Sequence, residues 1–362
     1  MRVVITGGGT AGHVHPAIAL ADALADEDVS FFGTATGAEA RLVPQAGLPF
    51  SALDIRGFDR AKPFGLLPVA ARAAGAVVQA RSLLARFRPH VVVGMGGYVS
   101  LPVCIAARTQ SIPVVLHEQN IVVGLANRVC KRFAIRVAVS WQATLAQAGS
   151  RGVFTGNPVL PEIADLDRDG RRSGALARFG LDASRRTLLV FGGSQGAHRI
   201  NEAAAGLHER WSDRTDIQVL HLAGRSEFDA LESRVATKGE LVYKLVDFLP
   251  GMGDAYAVAD LALCRGGATT IAELATTGLP AIIVPYPFHR DRQQQLLGEV
   301  LERAGAATLL RDADTTAASV GAAAERLFEG DGVLEAMAKA ALTLGHPDAA
   351  QRLAAVVREA GS

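Results

Sequence analysis

The chain opens with a short β-branched run that leads into glycines and then into a helical pattern. Arg2–Thr6 is rich in valine and isoleucine, as expected of a buried strand. It ends in the cluster Gly7-Gly8-Gly9-Thr10-Ala11-Gly12, after which apolar residues recur with helical spacing over residues 16–25. This order predicts a strand, a glycine turn and a helix.

The same unit recurs about half-way along the chain. Residues 187–191 form an apolar run that ends in Gly192-Gly193-Ser194-Gln195-Gly196, and a helical pattern follows over residues 200–207. Other continuous apolar runs fit buried parallel strands. They are residues 29–32, 91–93, 114–116, 137–139, 218–222, 261–264 and 281–284.

These patterns predict an α/β protein with two Rossmann-like domains that face each other across a cleft. We expect the domains to span residues 1–160 and 161–345, with a boundary near Gly156-Asn157-Pro158. A C-terminal helix is expected within residues 346–362, where residues 348–360 are amphipathic. The polar stretch 165–172 is expected to be a linker or a solvated helix.

Composition narrows the class of protein. A chain of 362 residues is long enough for two cores. Cys104, Cys130 and Cys264 form no disulfide framework and are expected in the core, which suits a reducing compartment. No signal peptide is evident, and no run reaches the roughly 18 apolar residues of a membrane span. We therefore expect a cytoplasmic protein that does not cross a membrane.

Charge is unevenly distributed along the chain. Residues 1–160 contain 15 Lys and Arg against 8 Asp and Glu, whereas the remainder contains 22 against 28. The excess of positive charge indicates that the first half faces something anionic, although a chance division of a balanced surface gives the same counts.

The glycine clusters are suited to binding phosphate. A glycine turn lets backbone amides approach an anion, and the N-terminus of the following helix adds positive potential. Gly7-x-Gly9-x-x-Gly12 matches the dinucleotide fingerprint, but the second strand ends in Gly33-Thr34-Ala35 without the acidic residue of an NAD site. No Gly-Lys-Ser/Thr motif exists for a P-loop.

A third cluster, Gly94-Met95-Gly96-Gly97-Tyr98, follows the run 91–93. Each cluster alone is compatible with a plain tight turn. Three of them together favour a ligand that contains a diphosphate.

Two patterns resemble metal ligands but are interpreted otherwise. Asp26-Glu27-Asp28 lies at the end of the first predicted helix, away from the carboxyl ends of strands, and is read as solvated. His13 and His15 lack an evident third ligand nearby. We expect no metal and no cofactor.

Longer motifs carry a resemblance to a known family. They are Gly8-Gly9-Thr10-Ala11-Gly12-His13, Gly94-Met95-Gly96-Gly97-Tyr98-Val99-Ser100, His117-Glu118-Gln119-Asn120, Gly156-Asn157-Pro158-Val159, Gly192-Gly193-Ser194-Gln195-Gly196-Ala197, Cys264-Arg265-x-Gly267-Ala268, Glu273 and Asp291-Arg292-Gln293-Gln294. In these blocks the sequence resembles the MurG family of peptidoglycan N-acetylglucosaminyltransferases, which have the GT-B fold and belong to glycosyltransferase family 28. The resemblance implies inverting transfer of N-acetylglucosamine from UDP-GlcNAc to the muramyl 4-hydroxyl of undecaprenyl-diphospho-MurNAc-pentapeptide.

The resemblance also implies a donor site mainly in the second half. Ser194 and its loop would hold the UDP diphosphate, Leu249 would line the uracil pocket, and Glu273 would accept hydrogen bonds from the ribose. The complete implied donor set is Thr10, Ala11, Gly12, Asn120, Ser194, Gln195, Phe248, Leu249, Met252, Ala268, Thr269, Thr270, Ile271, Ala272, Glu273, Gln293 and Gln294.

The first half would hold the acceptor and the catalytic base. The acceptor diphosphate is assigned by resemblance to Gly94, Gly96, Gly97 and Tyr98. His13 suits a general base because the N-terminus of a helix favours the neutral ring over imidazolium. Glu118 is the rival base, and His13 as a loop cap or acceptor-positioning group is the alternative.

The implied setting is the cytoplasmic face of the cell membrane, where the protein would be peripheral. Phe64, Leu66 and Leu67, followed by Arg72 and Arg81, would dock onto an anionic surface. An ordinary amphipathic core helix explains the same pattern. No nucleic-acid partner is expected.

One position departs from the family. Leu160 follows Gly-Asn-Pro-Val where an arginine is common, and Arg199 or Arg265 is a candidate substitute for a missing phosphate contact. Two alternative functions remain open: a UDP-GlcNAc 2-epimerase, which the block from Gly94 to Ser100 disfavours, and a non-catalytic nucleotide-sugar-binding regulator.

Overall fold

The computed structural model describes residues 1–9, 11–55, 66–193, 196–235, 239–288 and 291–362, with the backbone alone for Ala11 and residues 66–73. The described chain forms two compact units. One consists of Met1–Leu160 together with Asp348–Ser362, and the other of Pro161–Pro347.

The first unit is built on one parallel sheet. Its strands are β1 (Arg2–Thr6), β2 (Asp28–Thr34), β3 (Phe50–Leu53), β4 (Val91–Gly94), β5 (Val114–Glu118), β6 (Arg136–Val139) and β7 (Gly152–Phe154). They lie in the order β3-β2-β1-β4-β5-β6-β7. The helices are α1 (Ala11–Ala23), α2 (Glu39–Gln45), α3 (Leu66–Phe87), α4 (Gly97–Thr109), α5 (Leu125–Cys130) and α6 (Leu145–Ala148), with 3-10 turns at Gln142–Thr144 and Gly149–Arg151.

Alternating residues of these strands pack on opposite faces of the sheet. Val3 and Ile5 of β1 join one buried cluster, whereas Val4 joins another with Val92 and Leu116. Because helices cover both faces, each strand is apolar throughout, which is why the sequence pattern predicted the strands. Cys104, Cys130 and Cys264 are buried, as predicted.

The first helix begins earlier than its apolar pattern indicated. The prediction placed its start at Pro16, but α1 begins at Ala11 and includes Pro16. Pro16 is the sixth residue of α1 and has no amide hydrogen. The helix therefore lacks only the one hydrogen bond that this position would otherwise donate. His13 therefore lies inside the first turn of α1.

The last helix, α16 (Ala349–Gly361), belongs to the first unit. Leu353, Ala354 and Val357 of this helix are buried in the same cluster as Val3 and Ile5. The chain thus returns to the first unit after completing the second.

The second unit is built on another parallel sheet. Its strands are β8 (Arg186–Phe191), β9 (Ile217–Leu222), β10 (Val242–Val246), β11 (Leu261–Cys264), β12 (Ala281–Ile283) and β13 (Ala307–Leu309), in the order β10-β9-β8-β11-β12-β13. The helices are α7 (Pro161–Ala164), α8 (Arg168–Phe179), α9 (His198–Arg210), α10 (Phe228–Glu232), α11 (Gly253–Val258), α12 (Ala268–Thr277), α13 (Gln293–Arg303), α14 (Ala317–Glu329) and α15 (Val333–Leu342), with a 3-10 turn at Asp312–Asp314.

The polar stretch 165–172 contains the start of a helix. Asp167 is the N-cap of α8, and its carboxylate accepts a hydrogen bond from the amide of Gly170 at 3.0 Å. The stretch is therefore helical from Arg168 onward, but it is only partly solvated, because Arg168 and Arg172 donate to backbone carbonyls of the same unit.

In both sheets the order in which successive strands are added reverses beside the first strand. β1 lies between β2 and β4, and β8 lies between β9 and β11. Loops that leave such neighbouring strands in opposite directions open a crevice at the carboxyl edge of the sheet, where ligands bind in open α/β folds. The glycine clusters follow β1, β4 and β8, so each lies at one of these two edges.

No helix within the described ranges combines the length and apolar character needed to cross a membrane. The 22-residue helix α3 is long enough, but its sequence includes Arg72, Arg81 and Arg86.

Candidate active site

The two glycine loops of the first unit pack against each other at the carboxyl edge of their sheet. A Cβ atom on Gly97 would lie 2.5 Å from the carbonyl oxygen of Gly8, and one on Gly7 would lie 2.9 Å from Cβ of Met95. Gly96 and Gly97 have φ angles of 88° and 76°, in the left-handed region. Only glycine satisfies both the conformation and the close approach.

A buried carboxylate holds the first loop in place. Glu39 is fully buried and accepts hydrogen bonds from the amide of Gly9 at 2.9 Å, the amide of Thr34 at 3.0 Å and the hydroxyl of Thr34 at 2.6 Å. The Gly9 amide is therefore not available to a phosphate. Sequence reasoning missed Glu39, although an acidic residue in the first turn of a helix after the second strand was a usable signal.

His13 lies between the two loops. The ring is half-buried, and Nδ1 is 3.1 Å from Oε1 of Gln119. Cβ atoms on Gly96 and Gly97 would each lie 3.3–3.5 Å from ring atoms of His13. A Cβ atom at Gly96 would press on the ring, whereas one at Gly97 would only contact it.

Glu118, the rival candidate for the base, has its carboxylate hydrogen-bonded to neighbouring protein groups. Its carboxylate is 2% exposed. It accepts hydrogen bonds from the amide and side chain of Asn120 at 3.1 and 3.2 Å, and from the amide of Gly124 and side chain of Asn127 at 2.9 Å each. Its two oxygens thus each accept two hydrogen bonds from neighbouring protein groups. These hydrogen bonds tie Glu118 to the loop that follows β5.

The second loop presents the N-terminus of α4. Gly94 is the buried last residue of β4, and Tyr98 is 38% exposed at the start of the helix. The Tyr98 ring lies beside Gly9, where a Cβ atom would be 3.2 Å from it. The Tyr98 ring therefore lies against the first loop while the amides of the first turn of α4 lie at the carboxyl edge.

The carboxyl edge of the second sheet collects the N-termini of α9, α12 and α13. Ala268, Thr269, Thr270, Ile271, Ala272 and Glu273 lie in α12. Gln293 and Gln294 begin α13, and a Cβ atom on Gly266 would lie 2.6 Å from the Gln294 carbonyl oxygen. Gly266 thus allows the two helix starts to approach each other.

Glu273 is buried beside a tyrosine. It is 7% exposed, and its Oε2 accepts a hydrogen bond from the Tyr256 hydroxyl at 2.7 Å. Burial raises the pKa of Glu273 to about 7, despite the opposing hydrogen bond from Tyr256, and the nearby Glu162 carboxylate raises the pKa further. Burial also raises the pKa of Tyr256 well above its ordinary value.

Phe248, Leu249 and Met252 follow β10 on the same edge. The Arg225 guanidinium lies 4.5 Å from the centroid of the Phe248 ring. The Met252 amide donates to Oε1 of Glu162 at 3.3 Å, a contact that sequence reasoning missed. Leu249 is half-buried.

The two glutamines at the start of α13 differ in their partners. Oε1 of Gln294 accepts a hydrogen bond from the Tyr286 amide at 2.9 Å. Gln293 is 7% exposed, and its side-chain amide lies 3.4 Å from Oδ2 of Asp291.

Arg199 and Arg265, the candidates to replace the arginine that is common in the family, both form ion pairs with Asp312. Arg265 Nη1 lies 2.6 Å from Oδ1 of Asp312 and also donates to the carbonyl oxygens of Val284 and Pro285. Arg199 Nε lies 3.5 Å from Oδ2 of Asp312. Leu160 packs against the core of the first unit.

Several predicted residues have no described side-chain geometry. Thr10, Ser194, Gln195 and Phe64 lie outside the described residues, and Ala11, Leu66 and Leu67 are described by backbone alone. Within the described ranges, no group of three or more His, Cys, Asp or Glu side chains is arranged to hold a metal ion. His15 has its pKa lowered by burial and by Arg41.

The fold and these edges define a class of protein. Each parallel sheet reverses its strand order beside its first strand, and glycine turns follow the strands there. This is the architecture of two-domain α/β proteins that bind nucleotides. The chain belongs to glycosyltransferase family 28. Models of the N-terminal and C-terminal domains of that family match residues 3–139 and 187–353. The chain is thus a glycosyltransferase with the GT-B fold, which confirms the resemblance seen in the sequence.

Individual relatives match along the whole chain. A Nocardioides protein is 42% identical, with 100% of this chain and 98% of the relative covered, and a Desulfitobacterium hafniense protein is 38% identical, with 98% of each covered. Both are named UDP-N-acetylglucosamine–N-acetylmuramyl-(pentapeptide) pyrophosphoryl-undecaprenol N-acetylglucosamine transferase. The crystal structure of Acinetobacter baumannii MurG has a TM-score of 0.78 at 27% identity, covering 99% of each chain.

Replacing Glu39 tests its role in holding the first loop. Glu39→Ala leaves the Gly9 amide, the Thr34 amide and the Thr34 hydroxyl without their acceptor, so we expect the free energy of unfolding to fall by about 2–4 kcal/mol. Urea denaturation of the full chain measures this. Glu335→Ala is the matched control, because Glu335 is also a first-turn glutamate but is exposed. Equal stability of the two variants would contradict the assignment.

Proposed function

We propose that this protein transfers N-acetylglucosamine from UDP-GlcNAc to the muramyl 4-hydroxyl of undecaprenyl-diphospho-MurNAc-pentapeptide, with inversion at C1 of the sugar. Full-length relatives carry the name of such a transferase. The observation in this chain that carries the proposal is His13, a half-buried imidazole held beside Gly96 and Gly97 where two glycine loops meet.

The acceptor diphosphate is assigned to the second loop rather than the first. The Gly9 amide of the first loop already donates a hydrogen bond to the Glu39 carboxylate, so this amide is not available to a ligand phosphate. The loop of Gly94, Gly96, Gly97 and Tyr98 leads into a 13-residue helix, whose N-terminal amides suit a phosphate. The loop also adjoins the His13 ring, so an acceptor bound there would have its sugar near the base.

The donor is assigned to the carboxyl edge of the second sheet. Three helices, α9, α12 and α13, begin at this edge, and their N-termini favour a diphosphate. Glu273 is the expected acceptor for the ribose hydroxyls, because Tyr256 occupies Oε2 while Oε1 makes no hydrogen bond to another described residue. Phe248, Leu249 and Met252 supply apolar contacts for the uracil.

In the proposed reaction the muramyl 4-hydroxyl oxygen attacks C1 of the donor sugar and forms the new glycosidic bond. The bond between C1 and the β-phosphate oxygen breaks, and its electron pair leaves with UDP. The hydroxyl proton passes to the His13 ring. Backbone donors and helix N-termini stabilise the charge that develops on the leaving diphosphate.

The lipid-linked acceptor implies work at the membrane surface, and we assign it to the cytoplasmic face. The described part of α3 exposes Val78, which is 67% accessible, and also Arg81 and Arg86. This combination of apolar and basic groups suits an anionic leaflet. The sequence adds Phe64, Leu66 and Leu67 as candidates for apolar insertion, although their side chains lie outside what the structure describes.

Transfer of labelled N-acetylglucosamine to the lipid-linked acceptor tests the reaction. We expect His13→Ala to lower kcat by roughly 10²- to 10⁴-fold, because the base is lost, while UDP-GlcNAc affinity stays nearly unchanged. His90→Ala is the control, since His90 is an exposed histidine just before β4. Activity is expected to survive EDTA, because protein donors stabilise the leaving group.

Three outcomes would contradict this proposal. Conversion of UDP-GlcNAc to its 2-epimer without transfer would identify an epimerase instead. A His13→Ala enzyme with near-normal kcat and only a raised acceptor KM would assign His13 to positioning. Complete loss of activity with EDTA that metal restores would refute metal-independent transfer.

Donor binding should depend on the ionisation of Glu273. Below its pKa of about 7 the carboxyl is protonated and presents a weaker acceptor, so UDP-GlcNAc affinity should rise with pH and level off above about 7. Between about pH 6 and pH 8 we expect about a tenfold gain by calorimetry. Glu273→Gln should bind more weakly and without this pH dependence. A wild-type affinity that is flat over this range would remove Glu273 from the ribose site.

Membrane docking can be measured with vesicles that contain phosphatidylglycerol. We expect the double change Phe64→Ser, Leu67→Ser, and also high salt, to reduce vesicle binding about tenfold or more, because apolar insertion and charge attraction are weakened. Leu342→Ser is the control, since Leu342 is 55% exposed but lies in the second unit. Binding that ignores both salt and the double change would favour a plain amphipathic core helix.

A further inference from the structure

The side-chain amide of Gln119 has a defined orientation. Its nitrogen Nε2 donates to the carbonyl oxygen of Met95 at 2.7 Å, and Gln119 is 1% exposed. A carbonyl oxygen accepts only from a donor, so the amide nitrogen must face Met95. Oε1 of Gln119 therefore faces Nδ1 of His13, at 3.1 Å.

This orientation determines the tautomer of His13. Oε1 of an amide is an acceptor only, so Nδ1 of His13 must carry the hydrogen. In the neutral ring Nε2 then has the free lone pair. Nε2 is thus the ring atom able to accept a proton.

His117 supports the same arrangement from the other side. Its Nδ1 lies 3.2 Å from Nε2 of Gln119, and its Nε2 lies 3.2 Å from the carbonyl oxygen of Gly156. Nε2 of His117 must donate to that carbonyl, so Nδ1 accepts from Gln119. Burial lowers the pKa of His117 to about 4, so this ring is neutral and able to accept.

We infer that Gln119 is a positioning residue, which holds His13 as the Nδ1–H tautomer with Nε2 free to take the acceptor proton, through a chain anchored on the carbonyls of Met95 and Gly156. This inference rests on the proposed transferase function. Gln119 acts through His13 and does not itself touch the reacting atoms.

A neutral amide suits this position better than a carboxylate. The His13 ring packs against Gly96 and Gly97, in the loop assigned to the acceptor diphosphate. A negative charge behind the ring would oppose the approach of that diphosphate. The amide orients the ring by a hydrogen bond without adding charge. Glu118, the adjacent acid, directs its carboxylate at its own four hydrogen-bond donors.

The first experiment compares two buried glutamines. Gln119→Met removes the acceptor for His13 at similar volume, and we expect kcat to fall roughly 10- to 100-fold with donor affinity unchanged. Gln218→Met is the control, because Gln218 is fully buried near the start of β9 and also makes three hydrogen bonds, to the backbone of Asp182 and the hydroxyl of Thr187. It should lose stability but keep kcat.

The second experiment measures by NMR which nitrogen of the His13 ring carries the hydrogen. In the full chain labelled with ¹⁵N-histidine, with His13→Ala to assign the signals, we expect a protonated Nδ1 and an unprotonated Nε2 at neutral pH. In Gln119→Met the two tautomers should mix. This readout needs no turnover, so it separates a failure of the inference from a failure of the proposed function.

The third experiment uses the pH profile. Gln119→Glu places a carboxylate against Nδ1, which favours imidazolium, so the acid limb of kcat/KM should move up by about one pH unit. His117 is the other titratable ring near His13. Burial lowers its pKa to about 4, so it stays neutral near pH 7 and does not account for a shift of the acid limb there.

Three results on the ring and its pH profile would overturn the inference. They are a protonated Nε2 in the wild-type ring, a ring tautomer that is unchanged in Gln119→Met, and a folded Gln119→Glu variant with the acid limb of the wild type. A fall in kcat that equals that of Gln218→Met would also reduce Gln119 to a structural residue.

Discussion

Close contact between two glycine loops is the constraint on which the first unit depends. β1 and β4 are neighbours in the sheet, so their loops leave side by side, and Gly97 meets the carbonyl oxygen of Gly8 with no space for a side chain. His13 packs over this contact, and Gly96 lies against its ring. A Cβ atom at Gly97 would separate the loops, and one at Gly96 would press on the imidazole. The chemistry of the site therefore begins with backbone packing.

Buried acids in this unit act as scaffolding. Glu39 supplies an internal anion to the first loop, and Glu118 braces the loop after β5 with every strong lone-pair direction occupied. Because these carboxylates are committed, the proposed mechanism relies on the helix amides of the second loop for the ligand and on the His13 ring for proton transfer. In the second unit, Glu273 differs because, among the residues that the structure describes, only Tyr256 donates a hydrogen bond to its carboxylate, at Oε2. The contrast separates groups that build the site from groups free to bind.

Sequence reasoning predicted the architecture well because both faces of each sheet are covered. Runs such as Leu261–Cys264 are apolar throughout and were recognised as strands with the bounds the structure gives. The start of α1 was predicted too late, since Pro16 was taken as a boundary. Glu39 and Asp312 were missed because an isolated acid gives no pattern, and its buried role depends on partners that only folding brings together.

By itself, the sequence determined the two α/β units, the placement of the glycine turns after strands, and the family, because these depend on local periodicity and contiguous motifs. Only the tertiary structure decided which polar atoms are already bound. His13, Gln119 and Gly156 are distant in sequence, yet a chain of hydrogen bonds joins them through His117. The free nitrogen of a histidine is set by the partner of the other nitrogen. That partner, Gln119, comes from the loop after β5, so no local pattern of residues around His13 can specify it.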